Sequence, residues 1–277
     1  MLDGWRKVDP PTTKMLPVES DVVEHLVQKS LSGCATEKEK AVADLSMIAF
    51  YYLLRVGEYT AKGSGQQDTN ATQTQPFKMK DIAFFGTNSR GILYRIPANA
   101  RDFDILTATN ATMKLDNQKN GWKGVCVNHE NNGDDVLCGV RALARRYLHI
   151  RRHTSDASTP LSTFFSGGVK FDVTEQDIRE AIKLAAVACD YPGTRGTPIN
   201  LINTHSLRIG GACALALAGY SDMNVYVREN LSNYAEGMSK AMKKVHGFVN
   251  IDTGTYTDVS ARCVEMDYGM TISAAAA

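Results

Sequence analysis

Apolar residues recur along this chain with two different periods, helical at both ends and alternating in the middle. After Ser20, the spacing of Val22, Val23, Leu26 and Val27 predicts a helix to about Ser30, with Ser20 as its cap. Thr36 and Glu39 form a capping box. The helix it opens should run to about Leu54, burying a stripe of Val42, Leu45, Ala49, Tyr52 and Leu53. Residues 61–75 (AKGSGQQDTNATQTQ) are polar and Gly-containing, a loop. Strand character follows at Asp81–Phe85, Gly91–Ile96, Ala111–Leu115 and Lys123–Asn128, with Lys119-Asn120-Gly121 as the turn between the last two. Helical spacing returns over Gly139–Arg152. After a linker, a Thr174-capped helix reaches about Cys189, and residues 191–200 form a turn-rich connection. Asn203 or Thr204 opens a helix rich in small residues that Gly219 closes, and two shorter helices are expected from Ser221 to about Val245. The predicted class is α+β, mostly helical, with a small antiparallel sheet. The expected divisions are an extended lead-in (1–16), a main body (17–250) and an acidic, weakly structured tail (251–277).

Composition narrows the function without choosing one. A chain of 277 residues with 43% apolar and 22% charged positions can bury a substantial core. It has no run of eighteen apolar residues, and its first residues lack the apolar stretch of a secretory signal, so no membrane partner is expected. The six cysteines are scattered without a CxxC pair, which points to reduced intracellular thiols. No metal or cofactor is expected. The net charge of +1 speaks against a strongly basic nucleic-acid binder. The tail carries Asp252, Asp258, Glu265 and Asp267 against Arg262, so the mild positive charge lies in the body.

Three short segments carry candidate chemistry. Arg55 lies in Leu54-Arg55-Val56-Gly57-Glu58 at the end of an apolar helix. Alone, it reads as a helix-terminal cation interacting with the helix dipole or with Glu58. Lys119 sits at a hairpin tip, where a lysine is ordinarily a solvated turn residue. His205 and Arg208, three apart, share a helix face, and Gly210, Gly211 and Ala212 after them allow another backbone close. Alone, that segment reads as a capped helix with a satisfied histidine. Arg141, Arg145 and Arg152 fall near one face of the 139–152 helix, opposite Val140, Leu143, Tyr147 and Ile150. They are either a phosphate-holding face or an ordinary solvated one. Lys240, Lys243 and Lys244 form a second, weaker cluster.

Taken together, the strings AFYYLLRVGEYT, QKNGWKGV, LCGVRALARR and HSLRIGGACALALAGYSD resemble the catalytic domain of tyrosine recombinases, the phage-integrase family, in its eukaryotic retroelement or Crypton-like form. The resemblance spans about Pro17 to Val245. It implies a tyrosine-recombinase-like fold, DNA breakage and rejoining in recombination or integration, double-stranded DNA as partner, a homo-oligomer on DNA and a nuclear location. Arg55 and Arg208 would clamp the scissile phosphate through paired hydrogen bonds. His205 would support proton transfer or phosphate binding, and Lys119 would protonate the leaving 5′ oxygen.

The family pattern breaks after Gly219-Tyr220-Ser221-Asp222. Ungapped alignment puts Glu229-Asn230-Leu231 at the Gly-Arg-Trp position and Ser239 at the nucleophile. Tyr234 lies five residues before that place and Tyr256 seventeen after it; these are the alternative nucleophiles. The short lead-in has no room for the helical core-binding domain that family members usually carry, so a fragment or a degenerate copy is expected. The competing expectations are a strand-exchange enzyme, an inactive DNA-binding relative and a repurposed interaction protein of the same fold.

Overall fold

Every residue from Ala41 to Tyr51 is buried, too many for the single stripe expected of a helix lying on a core. This helix is central, and the rest of the fold is arranged around it. The computed structural model describes residues 15–61, 75–115 and 125–217. In chain order these residues form α1 (Ser20–Leu31), α2 (Glu37–Tyr51), α3 (Val56–Tyr59), β1 (Ile82–Thr87), β2 (Leu93–Ile96), α4 (Asp102–Leu106), β3 (Asn110–Leu115), β4 (Val125–Glu130), α5 (Gly139–Arg151), β5 (Thr163–Ser166), β6 (Val169–Asp172), α6 (Glu175–Ala188), α7 (Tyr191–Thr194) and α8 (Thr204–Leu217). The class is α+β, with a small antiparallel sheet. Helices α1, α5, α6 and α8 and strand β5 all pack on α2.

The capping box at the start of α2 forms as expected: Glu39 N–H donates to Thr36 Oγ1 at 3.2 Å, and Thr36 N–H to Glu39 Oε2 at 2.9 Å. Thr174 and Asp177 repeat the arrangement at α6. At α1 the cap position falls on Glu19, with no side-chain hydrogen bond, and Ser20 is the first helical residue.

The four-stranded sheet has the order β2-β1-β3-β4, antiparallel throughout. Alternation along its strands puts Ile82, Phe84, Ile96, Ala111, Met113 and Val127 into the main core, while Ala83, Phe85 and Leu93 form a small separate cluster. Residues 153–173, expected as a linker, hold the β5–β6 hairpin instead. Its turn is Gly167-Gly168, with φ of 58° and 79°, the left-handed pair that a two-residue type I′ turn requires.

One buried arginine ties this hairpin to the helices. Arg146, only 2% exposed, donates through Nε and Nη2 to the carbonyl of Leu161 at 3.3 and 3.1 Å, and through Nη2 to that of Thr163. Burial pushes its pKa down to about 10, partly offset by Asp44 and Glu37, so it stays charged at neutral pH. Beside it, His149 Nε2 accepts from Phe165 N–H at 2.9 Å while Nδ1 faces Glu37 Oε2 at 3.2 Å.

Candidate active site

The path that delivers Arg55 starts where α2 stops. Leu53 turns the chain in the left-handed region, with φ of 48°, and Leu54 N–H closes the helix end on Ala49 O at 3.0 Å. A left-handed leucine costs about 1–2 kcal/mol. Burial of Leu53 and Leu54 in the core holds it there. The expectation that Arg55 ends the long helix is therefore corrected: α2 ends at Tyr51, and Arg55 is the N-cap residue of the separate turn α3. The positive φ is what makes that break, and a leucine in that conformation gives no sequence signal.

Glu58 fixes this turn from inside. It is fully buried, and its Oε2 accepts from Arg55 N–H at 2.8 Å. Its Oε1 faces Arg55 Nη1 at 3.6 Å, beyond hydrogen-bonding distance, and both atoms are buried without a hydrogen bond. The carboxylate thus holds the Arg55 backbone firmly and its guanidinium loosely. The side chain remains 32% exposed, so its other donors can reach a ligand.

The second segment is set by the start of α8. Asn203 Oδ1 accepts from His205 N–H at 2.8 Å, and Ser206 Oγ accepts from Asn203 N–H at 3.1 Å. Thr204, Ser206 and Leu207 point inward and are buried, which leaves His205 exposed and Arg208 half-buried on the adjacent face. Gly210 lets the helix sit deep: a Cβ there would lie 1.8 Å from the carbonyl oxygen of Val18 and 3.1 Å from Phe50 Cε2. Phe50 is one residue from the end of α2, so this contact brings the start of α8 to the end of α2 that Arg55 follows.

The electrostatics of His205 report the result. Burial lowers its pKa first, and then the positive charges of Arg208 and Arg55 lower it further. Two arginines from segments far apart in the sequence thus add to burial in disfavouring the imidazolium form of His205. An imidazole influenced by two guanidinium groups can accept a proton while the cations hold an anionic oxygen.

The other expected residues fare differently. Lys119 lies outside the described residues, in the connection between β3 and β4, whose ends pair through Leu115 and Val125. Tyr234, Tyr256, Ser239, the lysines at 240, 243 and 244, the helices expected over 221–245 and the tail 251–277 also lie outside them. The arginines expected to form a phosphate-holding face on α5 each stand beside an aspartate. Arg141 pairs with Asp135, and Arg145 holds Asp44 through Nε and Nη2 at 2.8 and 2.6 Å. Arg152 holds Asp102 through Nε and Nη2 at 3.1 and 2.6 Å. These partners are 101, 50 and 6 residues away in sequence, so helix periodicity could not reveal them. Glu58 is the residue whose structural weight sequence reading missed: its place three residues after Arg55 was visible, its burial was not.

Among the described residues, no group of three or more His, Cys, Asp or Glu side chains is placed to hold a metal ion. No helix among them is long and apolar enough to cross a membrane. No family model, curated protein or solved structure matches the chain.

Proposed function

We propose that this chain is a DNA strand-transfer domain of the tyrosine-recombinase type, acting in the nucleus on double-stranded DNA as a homo-oligomer. The single observation that carries the reading is the seating of α8 at Gly210 on Val18 and Phe50, which brings the His205–Arg208 segment to the end of α2 that Arg55 follows, where both arginines act on His205. Phosphoryl transfer needs this grouping. As a nucleophile's oxygen bonds to phosphorus, negative charge builds on the non-bridging oxygens, and two preorganised guanidinium groups stabilise it most. The nucleophile's proton passes to His205 or to solvent. The phosphorus–O5′ bond breaks, and the leaving oxygen takes a proton from Lys119. The product is a 3′-phosphoryl-enzyme ester and a free 5′ hydroxyl; rejoining is the reverse, with a new 5′ hydroxyl as nucleophile.

The nucleophile in this scheme is Tyr234 or Tyr256. Ser239 stands at the ungapped position, and a serine hydroxyl is far less acidic than a phenol. That substitution favours a second reading, a DNA-binding relative that keeps the clamp and no longer exchanges strands. One experiment separates the two. A nicked duplex, which traps the covalent intermediate, is incubated with the full chain at low salt. The enzyme reading expects a protein–DNA adduct that Arg208→Ala abolishes and that either Tyr234→Phe or Tyr256→Phe removes. Salt-dependent binding without any adduct selects the second reading. Absence of DNA binding rejects both and leaves an interaction protein of the same fold.

A further inference from the structure

The arginines expected to hold DNA beyond the clamp are engaged with aspartates, but a different set of cations is not. Lys78, Lys80 and Lys170 have no carboxylate within ion-pair distance of their amino groups among the described residues. Among the described residues, Lys78 Nζ donates to the neutral Gln75 Oε1 at 3.5 Å. Lys80 and Lys170 are exposed, and Lys78 is half-buried.

Backbone hydrogen bonds hold Lys78 and Lys80 against one turn, residues 156–160, while Lys170 lies on β6 opposite Phe165. Lys80 N–H donates to Ala157 O at 2.9 Å, Met79 N–H donates to Thr159 O at 3.1 Å, and Lys78 bridges to Pro160. Lys170, on β6, and Lys78 both lie within electrostatic reach of Asp156. The nearby carboxylates serve the fold. Asp156 accepts from Ser158 N–H and Oγ–H, Asp81 caps Lys78 N–H at 2.8 Å, and Asp172 accepts from Thr163 Oγ1–H at 2.6 Å.

The same backbone ties this group to the Arg55 turn. Phe77 N–H, one residue before Lys78, donates to Glu58 O at 2.8 Å. Ala61 N–H, two residues after α3, donates to Val173 O at 2.9 Å, one residue past β6. The segment that carries Lys78 and Lys80 and the end of the strand that carries Lys170 are therefore both bonded to the chain around the Arg55 turn.

We propose that Lys78, Lys80 and Lys170 form a strip that contacts the phosphates of the DNA backbone beside the phosphate held by Arg55 and Arg208. The proposal rests on the DNA strand-transfer reading and deepens it. Lysines suit this role because a flexible point charge follows a phosphate chain without reading bases. Each phosphate contact releases counterions, so the strip is read from the salt dependence of binding.

The test is duplex binding by the full chain across a salt series, for wild type, Arg141→Ala, and the triple variants Lys→Ala and Lys→Arg at positions 78, 80 and 170. Losing three phosphate contacts should flatten the slope of log K against log salt by about 2–3. The Lys→Arg triple should keep the wild-type slope, which separates charge from fold. Arg141→Ala, which removes a cation already paired with Asp135, should keep it too. A Lys→Ala triple with the wild-type slope overturns the strip while leaving the clamp standing. A wild type that binds no duplex at low salt overturns both.

Discussion

Helix α5 and the turn at Arg55 both present arginines, and they use them in opposite ways. On α5 and its C-cap, Arg141, Arg145, Arg151 and Arg152 each meet an aspartate, and Arg146 is sunk into two backbone carbonyls. At the turn, the Arg55 guanidinium faces the Glu58 carboxylate at 3.6 Å, without a hydrogen bond. α5 carries the more basic sequence, yet its charge serves the fold. An arginine count in a helix measures cations present, and the partners brought by the fold decide how many can reach a ligand.

The sharpest way to break this comparison is at Arg146. If α5 is structural, Arg146→Met should destabilise the protein by about 2–4 kcal/mol, because the carbonyls of Leu161 and Thr163 are left buried without their donor. Equilibrium denaturation in urea measures it. Lysine should not rescue, since one ammonium cannot reproduce the planar fork that serves both carbonyls. A loss below about 0.5 kcal/mol, the range of an ordinary surface substitution, would put Arg146 on the surface and dissolve the contrast.

The next effect is steric and lies on the clamp side. Gly210→Ala puts a methyl group 1.8 Å from the Val18 carbonyl oxygen, so α8 or the segment just before α1 must move. Overpacking of this kind costs about 1–3 kcal/mol. The same movement shifts His205 and Arg208 relative to Arg55, so under the proposed strand-transfer reading DNA affinity should fall as well. Gly57→Ala is the control. It has open space around its Cβ position, and it should leave the fold within the ordinary surface range. Equal melting temperatures for the two variants would mean that α8 does not seat against Val18 and Phe50.

Sequence pattern revealed the sheet, the Thr36 capping box, the Thr174 cap, the run of α5 and the start of α8, because each is a local matter of period and cap. It missed what depends on distant partners. The central position of α2 was hidden because burial on all sides leaves no polar face to mark the inward one. The β5–β6 hairpin was legible after all: Phe164-Phe165-Ser166-Gly167-Gly168-Val169-Lys170-Phe171 places a Gly-Gly turn between strand-forming residues. The grouping of Arg55 with Arg208 came from resemblance alone, since neither propensity nor period relates two residues so far apart. Glu58 stood in plain view, but only the left-handed bend at Leu53 explains why that carboxylate faces inward.

The smallest effect tests the grouping itself. His205 sits below the usual histidine range because burial and two cations disfavour its imidazolium. Removing either cation must therefore raise its pKa toward the ordinary value. Titration of the imidazole by NMR, with His205→Asn to assign the signal, should show an upward shift in Arg208→Ala and a smaller one in Arg55→Gln, following the order of the two influences. The sign also fixes a stability effect. A histidine held neutral in the folded state takes up a proton on unfolding below about pH 6.5, so this contribution weakens as the medium is acidified. Raising the His205 pKa by removing Arg208 narrows that acid-sensitive window. A His205 titration indifferent to Arg55 would mean that the charge at residue 55 does not reach residue 205, and then no single phosphate could be gripped by both arginines.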